Sequence, residues 1–242
     1  KNIEVFGKKS SNNLQTLMYY QDSVIKELNS LDFFSKDLTN YEGIKIYTNL
    51  DLNAQSSLEK AIDTHLSDSN MQVASILIEP DTGAILALTG GKDYSISQYN
   101  RATQAKRQVG SAMKPILYYA ALENGMTASS TFLSEETTFV FSNNKTYSPA
   151  NYNNLYANKN ITMAAAVAYS DNIYAVKTHL FLGEDVLVDV AKRFGIKEKL
   201  NPNPSLALGS DEISMIDFAN AYNVLASGGY TNDLFFIRKI ED

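Results

Sequence analysis

The 242-residue sequence contains no cysteine, which excludes disulfide bonds, thiolate catalysis and cysteine-ligated zinc. It has only two histidines, His65 and His179, far apart in the chain, and no G-x-S-x-G motif supports a histidine-based triad. The longest purely apolar stretches, such as 163–169, are far shorter than the roughly 20 residues of a membrane-spanning helix. No signal peptide begins at Lys1, so any membrane anchor is expected to lie outside this chain.

The composition is that of an ordinary globular protein. Hydrophobic residues make up 44% of the chain and charged residues 20%, so intrinsic disorder is excluded. The length suits one sizeable domain with an attached segment. The net charge of −6, with no local cluster of Lys and Arg, argues against a nucleic-acid-binding surface.

The first third of the chain predicts an attached segment, a strand and a helix. Residues 1–42 read as the attached segment, with helical periodicity over 14–31. The main domain then begins, and alternating residues in YEGIKIYTNLD (41–51) predict a strand. Asp51 is a candidate N-cap for a helix that continues to about His65.

A hairpin is expected next, because two β-rich runs, VASILIE and AILAL, flank the turn sequence Pro80-Asp81-Thr82-Gly83. Both runs are almost continuously apolar, which predicts a sheet covered on both faces. The final run, LFFIRKI at 234–240, predicts a returning strand. Strands, then helices, then a strand indicate an α+β fold with a central antiparallel or mixed sheet and helices on both faces.

The middle of the chain predicts helices after a long polar loop. The Asn-rich segment 141–160 is expected to be an ordered loop. A buried helix, ITMAAAVAYS, precedes Ser170, and NIYAVKTHLFLG predicts another helix. Residues 185–195 and 211–227 read as two amphipathic helices.

A serine and a lysine three residues apart suggest a nucleophile with its base, but this spacing occurs four times: Ser23/Lys26, Ser57/Lys60, Ser111/Lys114 and Ser142/Lys145. The first two pairs lie on amphipathic helices, where a solvated face is the simpler interpretation, and the last lies in the Asn-rich loop. Only Ser111 follows a Gly-bearing turn at the start of an apolar helix. Pro115 requires this helix to begin near Ser111.

Lys114 could deprotonate Ser111, because residues i and i+3 share one face of a helix. The pKa of its amine must then fall from ~10.4 towards neutrality, which needs burial or a nearby cation. Ala112, Ile116 and Leu117 could supply the burial. The alternative is an ordinary surface serine.

The triplet SDN at 170–172 lies between two apolar helical runs. With a nucleophilic Ser111, Ser170 would relay a proton to the leaving group and Asn172 would hydrogen-bond a substrate amide. The alternative is a serine and an asparagine that cap helices. Both motifs together, each at a helix boundary, favour the catalytic interpretation.

These residues resemble the transpeptidase domain of penicillin-binding proteins, which share S-x-x-K, S-D-N and K-T-G motifs with class A β-lactamases. The resemblance is to class A, bifunctional members, and it spans most of 43–229. Residues 14–31 resemble the linker that follows the glycosyltransferase domain in that class. The segments that carry the resemblance, in chain order, are GIKIYTNLDLNAQ, EPDTGAILALTGG, YNRAT, RQVGSAMKP, YSPANY and ALGSDEISMIDFANAYNVLASGG.

The resemblance implies a penicillin-binding protein/serine β-lactamase-like fold and a serine-type D,D-transpeptidase. Ser111 would attack the D-Ala-D-Ala carbonyl of a peptidoglycan stem peptide and form an acyl-enzyme. Lys114 would be the general base, and Ser170 and Asn172 would serve proton relay and substrate binding. β-Lactams would acylate Ser111. The resemblance implies no metal or organic cofactor, no nucleic-acid partner, and a site on the extracellular face of the bacterial cytoplasmic membrane, anchored through an N-terminal segment outside this chain.

Two departures from the family pattern stand out. Val109 occupies a position where the family usually has Pro, and no K-[ST]-G triplet occurs anywhere. In the family that motif lies on a later strand, which supplies half of the oxyanion hole. We therefore expect 1–42 to be a linker after an absent glycosyltransferase domain and 43–242 to be the N-terminal part of the transpeptidase domain. The C-terminal remainder of the transpeptidase domain would then be a partner of this chain. Without the strand that it supplies, the isolated chain can be inactive.

Three alternatives are open. A class A β-lactamase needs a Glu at the first position of E-x-x-L-N, but KEKLN places Lys197 there and Glu198 one residue out of step. A β-lactam sensor domain, acylated without turnover, would keep Ser111 and Lys114. A purely structural domain would make all the motifs coincidental.

Overall fold

A computed structural model describes residues 16–31, 43–142 and 144–241. The chain divides into two compact units, Lys1–Ala105 with Asn232–Asp242, and Lys106–Thr231. The predicted boundary between 42 and 43 adjoins residues outside the described ranges, so it stays a prediction.

The described residues form helices and short antiparallel strand pairs. The helices are α1 (Leu17–Ser30), α2 (Leu52–Leu66), α3 (Arg101–Gln104), α4 (Lys114–Glu123), α5 (Met163–Tyr169), α6 (Asn172–Leu182), α7 (Glu184–Arg193) and α8 (Met215–Ala226). The strands are β1 (Lys45–Thr48), β2 (Ser75–Ile78), β3 (Ile85–Thr89), β4 (Lys106–Gln108), β5 (Thr131–Ser134), β6 (Phe139–Val140), β7 (Thr146–Tyr147), β8 (Lys159–Thr162), β9 (Glu212–Ser214) and β10 (Ile237–Glu241).

The first unit confirms the predicted hairpin, returning strand and helix cap. Strands β2 and β3 pair antiparallel, and β10 returns to pair antiparallel with β1. A parallel bridge between Ala84 and Phe235 joins the neighbouring segments. The Asp51 side chain caps α2 by accepting from the backbone N–H groups of Asn53 and Ala54.

Packing in the first unit is centred on β3. Helix α1 covers this strand, and the buried Tyr20 hydroxyl donates to the Ile85 carbonyl at 2.6 Å. Strand β3 is almost wholly buried, but Leu77 in β2 is 45% exposed. The prediction of a hairpin covered on both faces is therefore right for β3 and wrong for β2, which lies further from the covering helices.

The core of the second unit is built around α4 and α6, whose sequences are apolar on nearly every face. Side chains of α4, α6 and α7 share one cluster, which includes Ile116, Leu117, Tyr174, Val176 and Leu187. The helix predicted over 185–195 is confirmed as α7. The helix predicted over 211–227 is confirmed only from Met215, where α8 begins, because Glu212–Ser214 pair with β4 as strand β9.

Helix α5 differs from its prediction. Met163 and Ala166 are buried, whereas Val167 and Tyr169 are exposed. Its seven residues are uniformly apolar, so the sequence could not show that only one side of the helix faces the core. The helix ends at Ser170, as predicted.

Candidate functional site

A strand pair and a tight turn determine the position of Ser111. Strand β4 pairs antiparallel with β9, and two residues later Gly110 takes a positive φ of 60°. A 3-10 helix, Gly110–Met113, then leads directly into α4, with Pro115 in its first turn. The predicted helix start is confirmed, and Ser111 lies exposed on the 3-10 helix.

The turn before Ser111 lies against a second glycine. Gly110 donates its N–H to the carbonyl of Gly209 at 3.2 Å, and Gly209 also has a positive φ, 65°. A Cβ at Gly209 would overlap the backbone of Gly110. The Tyr222 hydroxyl donates to the carbonyl of Ala112 at 2.7 Å. Distant parts of the second unit thus hold both sides of Ser111.

Lys114 is the buried centre of the site, with 3% of its surface exposed. Its Nζ donates to the Ser170 carbonyl at 2.6 Å, to Ser170 Oγ at 2.9 Å and to Asn172 Oδ1 at 2.6 Å. An ammonium group has three N–H donors, so these acceptors satisfy all of them. The structure therefore brings together three of the four predicted site residues.

The buried position of Lys114 changes its acidity. Burial disfavours the ammonium form and lowers the pKa of Lys114 to about 8, although the nearby Asp171 carboxylate acts in the opposite direction. Ile116 and Leu117 are fully buried beside it in the sequence, as predicted. An amine with such a pKa exists partly in its neutral form near neutral pH, when it can accept a proton.

Ser111 stands apart from the hydrogen-bonded cluster. Within the described residues, the amine of Lys114 makes its hydrogen bonds to the SDN turn and none to the Ser111 hydroxyl. The two residues are nevertheless one helical turn apart at the start of α4. Catalytic hydrogen bonds are often long without substrate and shorten in the reacting complex.

The SDN turn separates α5 from α6. Ser170 ends α5 in the left-handed region, with a φ of 53°. Asp171 is the N-cap of α6, and its Oδ1 accepts from the Tyr174 N–H at 2.7 Å. Ser170 thus caps the end of α5 through its backbone, and Asp171 caps the start of α6 through its side chain. The side chains of Ser170 and Asn172 both contact Lys114.

Sequence reasoning missed two residues that support this turn, Asn151 and Ser134. Asn151 accepts from the backbone N–H of Asn172 at 2.7 Å and donates to Asp171 Oδ2 at 2.7 Å. Ser134 donates to the same Asp171 oxygen at 2.5 Å. For Asn151 the sequence offered one signal, its place in the segment YSPANY that carries the family resemblance. The Asn-rich composition of the loop gives no indication of which residue any asparagine contacts.

The other S-x-x-K pairs lie in different surroundings. Ser57 and Lys60 are both exposed on α2, which confirms the solvated-face interpretation for that pair. For Ser23 the interpretation is wrong, since its hydroxyl is buried and donates to the Tyr19 carbonyl at 2.8 Å. Ser23 faces the covered side of α1, which spacing alone could not reveal.

Neither a metal cluster nor a membrane span is evident in the part of the chain that the structure describes. His, Asp and Glu residues there do not gather into a group able to hold a metal ion. No described helix combines the length and apolarity required to cross a bilayer. The buried His179 contacts the backbone carbonyl of Asn203 through Nε2 at 3.1 Å.

Comparison with known proteins identifies the family. The family model "Penicillin binding protein transpeptidase domain" matches residues 73–242. The chain is 45% identical over 226 residues to penicillin-binding protein 2D of Bacillus subtilis, a match that covers 93% of the chain and 33% of that relative. It is 39% identical over 168 residues to penicillin-binding protein 1A of Aquifex aeolicus, covering 69% of the chain and 23% of the relative. The chain thus spans a third or less of the length of these relatives.

Solved structures show the same relationship. Penicillin-binding protein 1A of Haemophilus influenzae superposes with a TM-score of 0.68 at 34% identity, over 71% of this chain and 26% of that one. PonA1 of Mycobacterium tuberculosis, a penicillin-binding protein, superposes with a TM-score of 0.79 at 25% identity, over 91% and 60%. The predicted α+β fold of the penicillin-binding protein and serine β-lactamase type is confirmed. The chain belongs to the penicillin-binding protein transpeptidase family.

Proposed function

We propose that this chain carries the acylation site of a peptidoglycan D,D-transpeptidase, and that β-lactams acylate the same site. The observation that carries the proposal is the buried Lys114 amine, held by Ser170 and Asn172 one helical turn from an exposed serine. A buried lysine with a lowered pKa beside a hydroxyl is the arrangement that an activated serine nucleophile requires.

In the proposed reaction, Ser111 Oγ attacks the carbonyl of the penultimate D-Ala while its proton passes to the neutral Lys114 amine. The new C–O bond gives an ester, and the C–N bond to the terminal D-Ala breaks. Ser170, which already contacts Lys114 Nζ, delivers a proton to the departing nitrogen. An amine of a neighbouring stem peptide then attacks the ester, forms the cross-link amide and releases Ser111.

A β-lactam would undergo the same first step of the reaction. Ser111 attacks the ring carbonyl, the ring C–N bond breaks, and the nitrogen takes the proton. Because that nitrogen stays tethered to the acyl group, it is not released, and the ester persists. The structure of PonA1 in complex with penicillin V shows that a relative binds this class of compound.

The oxyanion hole of the proposed enzyme needs further residues. No K-[ST]-G triplet occurs in the chain, and we infer that residues following position 242 supply it, with residues 1–42 acting as a linker after a glycosyltransferase domain. Loss of one oxyanion donor costs about 10²–10³ in rate. The full-length protein, placed on the outer face of the cytoplasmic membrane, would therefore be the active form.

The environment of Glu198 argues against hydrolysis as the main activity. Its carboxylate accepts from the Ser214 backbone N–H at 2.9 Å and lies 3.5 Å from the Lys106 amine. These contacts engage Glu198 Oε1 at the strand pair β4–β9, whereas the hydrogen bonds of Lys114 go to Ser170 and Asn172. The register that a class A β-lactamase requires is also missing, because Lys197 and not Glu198 stands at the first position of the E-x-x-L-N pattern.

The test is release of D-Ala from a model depsipeptide by the full-length protein, followed in parallel by intact-mass detection of a penicillin adduct. We expect both activities in the wild type, neither in Ser111→Ala, and both in the matched control Ser57→Ala. An adduct without any D-Ala release would favour a β-lactam sensor, and rapid hydrolysis of nitrocefin would favour a β-lactamase. Equal activity in Ser111→Ala would overturn the proposal.

A further inference from the structure

The side-chain amide of Asn151 connects a loop to the SDN turn. It precedes a short 3-10 helix, Tyr152–Asn154. Its Oδ1 accepts from the Asn172 N–H at 2.7 Å, and its Nδ2 donates to Asp171 Oδ2 at 2.7 Å. A backbone N–H can only donate and a carboxylate can only accept, so only one orientation of the amide satisfies both partners.

Asp171 is the second member of this arrangement. It is buried, and its two oxygens receive hydrogen bonds from the Ser134 hydroxyl, the Asn151 amide and the Tyr174 N–H. A buried carboxylate is costly unless it is hydrogen-bonded in this way. Removal of the Asn151 amide would leave Asp171 Oδ2 with Ser134 as its remaining partner and would leave the Asn172 N–H unpaired.

The supported turn is the one that holds Lys114. Ser170 and Asn172 flank Asp171 and supply all three acceptors of the Lys114 amine. Ser170 also has a left-handed φ of 53°, which costs energy in a non-glycine residue and persists only where the surroundings impose it. Contacts that fix Asp171 and Asn172 therefore also fix the oxygens facing Lys114.

We propose that Asn151 is a positioning residue of the acylation site, which holds the SDN turn so that Ser170 and Asn172 both face Lys114. Asn151 need not touch the substrate or the reacting atoms. This inference rests on the proposed transpeptidase function and deepens it, because it names a residue that acts through the turn rather than on the substrate.

The experiment measures acylation of the full-length protein by a fluorescent penicillin, separating the limiting acylation rate from the apparent dissociation constant. We expect Asn151→Ala to lower the limiting rate by about 10- to 100-fold, because small displacements of catalytic groups have effects of that size. The dissociation constant should change much less. The matched control is Asn160→Ala, an exposed asparagine on β8, which should acylate like the wild type.

An exchange of side chains separates positioning from a general loss of stability. Asn151→Asp alone would place two carboxylates together, whereas Asn151→Asp combined with Asp171→Asn restores one donor and one acceptor between the same positions. The double variant should recover at least about tenfold in limiting rate over Asn151→Asp, as coupling between contacting residues predicts. This comparison decides the question even where Asn151→Ala does not fold.

Two results would overturn the inference while leaving the proposed function intact. One is a wild-type limiting rate in Asn151→Ala. The other is a double variant no faster than Asn151→Asp. If the wild type itself forms no adduct at Ser111, the proposed function fails, and that outcome is read from the wild type and Ser111→Ala alone.

Discussion

The pairs Ser111/Lys114 and Ser57/Lys60 have the same spacing, but they lie in contrasting environments. Ser57 and Lys60 lie in the middle of α2, where both side chains are exposed. Ser111 lies on a 3-10 helix and Lys114 at the first position of α4, where the lysine is buried. The pair Ser111/Lys114 therefore lies at a boundary between surface and core, with an exposed serine and a buried lysine.

This contrast indicates that the surroundings, and not the spacing, lower the pKa of Lys114. An exposed ammonium is solvated by water on every side. The Lys114 amine instead faces three oxygens of one turn and an apolar core, and burial lowers its pKa to about 8. Substitutions that alter these surroundings should therefore act on one pair and leave the other unaffected.

The largest effect is expected from Lys114 itself. Lys114→Ala should reduce the rate of acylation by a β-lactam by about 10²–10⁴, the usual contribution of a general base. Lys114→Arg should be as slow, because a guanidinium keeps the charge but does not lose its proton in proteins. Lys60→Ala is the control and should react like the wild type. A fast Lys114→Arg variant would show that charge, and not proton transfer, is what the site requires.

The second prediction concerns Gly209, the glycine that faces the turn before Ser111. Gly209→Ala would drive a Cβ into the backbone of Gly110, whereas a Cβ at Gly125, also at positive φ, meets no atom within 4 Å. Both substitutions carry the backbone cost, but only Gly209→Ala adds overpacking, typically 1–3 kcal/mol. Chemical denaturation should therefore show a free energy of unfolding about 2 kcal/mol lower for Gly209→Ala than for Gly125→Ala. Equal values would contradict the close approach of the two glycines.

The smallest effect is the dependence on pH. With its pKa lowered to about 8, Lys114 is mostly protonated at pH 7 and mostly neutral at pH 9. Only the neutral amine accepts a proton, so the acylation rate should rise about tenfold over this interval and level off above it. Stopped-flow measurements with a β-lactam that is stable across the range would show this. A rate that falls as pH rises would contradict the assignment of Lys114 as the base.

The sequence predicted the parts of the fold that depend on local chemistry. Asp51 as an N-cap, the hairpin around Pro80–Gly83 and the helix start imposed by Pro115 all follow from side-chain preferences within a few residues. The burial of Ile116 and Leu117 beside Lys114 could also be read from the apolar run of α4.

The features that could not be predicted depend on contacts between distant residues. Asn151 meets Asp171 across 20 positions of sequence, and Gly110 meets Gly209 across almost 100. Nothing in a local pattern shows which asparagine of an Asn-rich loop points inward. The exposed side of α5 was missed for the same reason, because an all-apolar helix carries no mark of the face that lacks a neighbour.

The most direct test of the contrast is to locate the acylated residue in the full-length protein. After reaction with penicillin, intact mass should show one adduct per chain, and peptide mapping should place it on Ser111 with none on Ser57. This result would show that one of two identically spaced pairs is chemically active. An adduct on Ser57, or an unmodified Ser111 in a protein saturated with penicillin, would contradict the account.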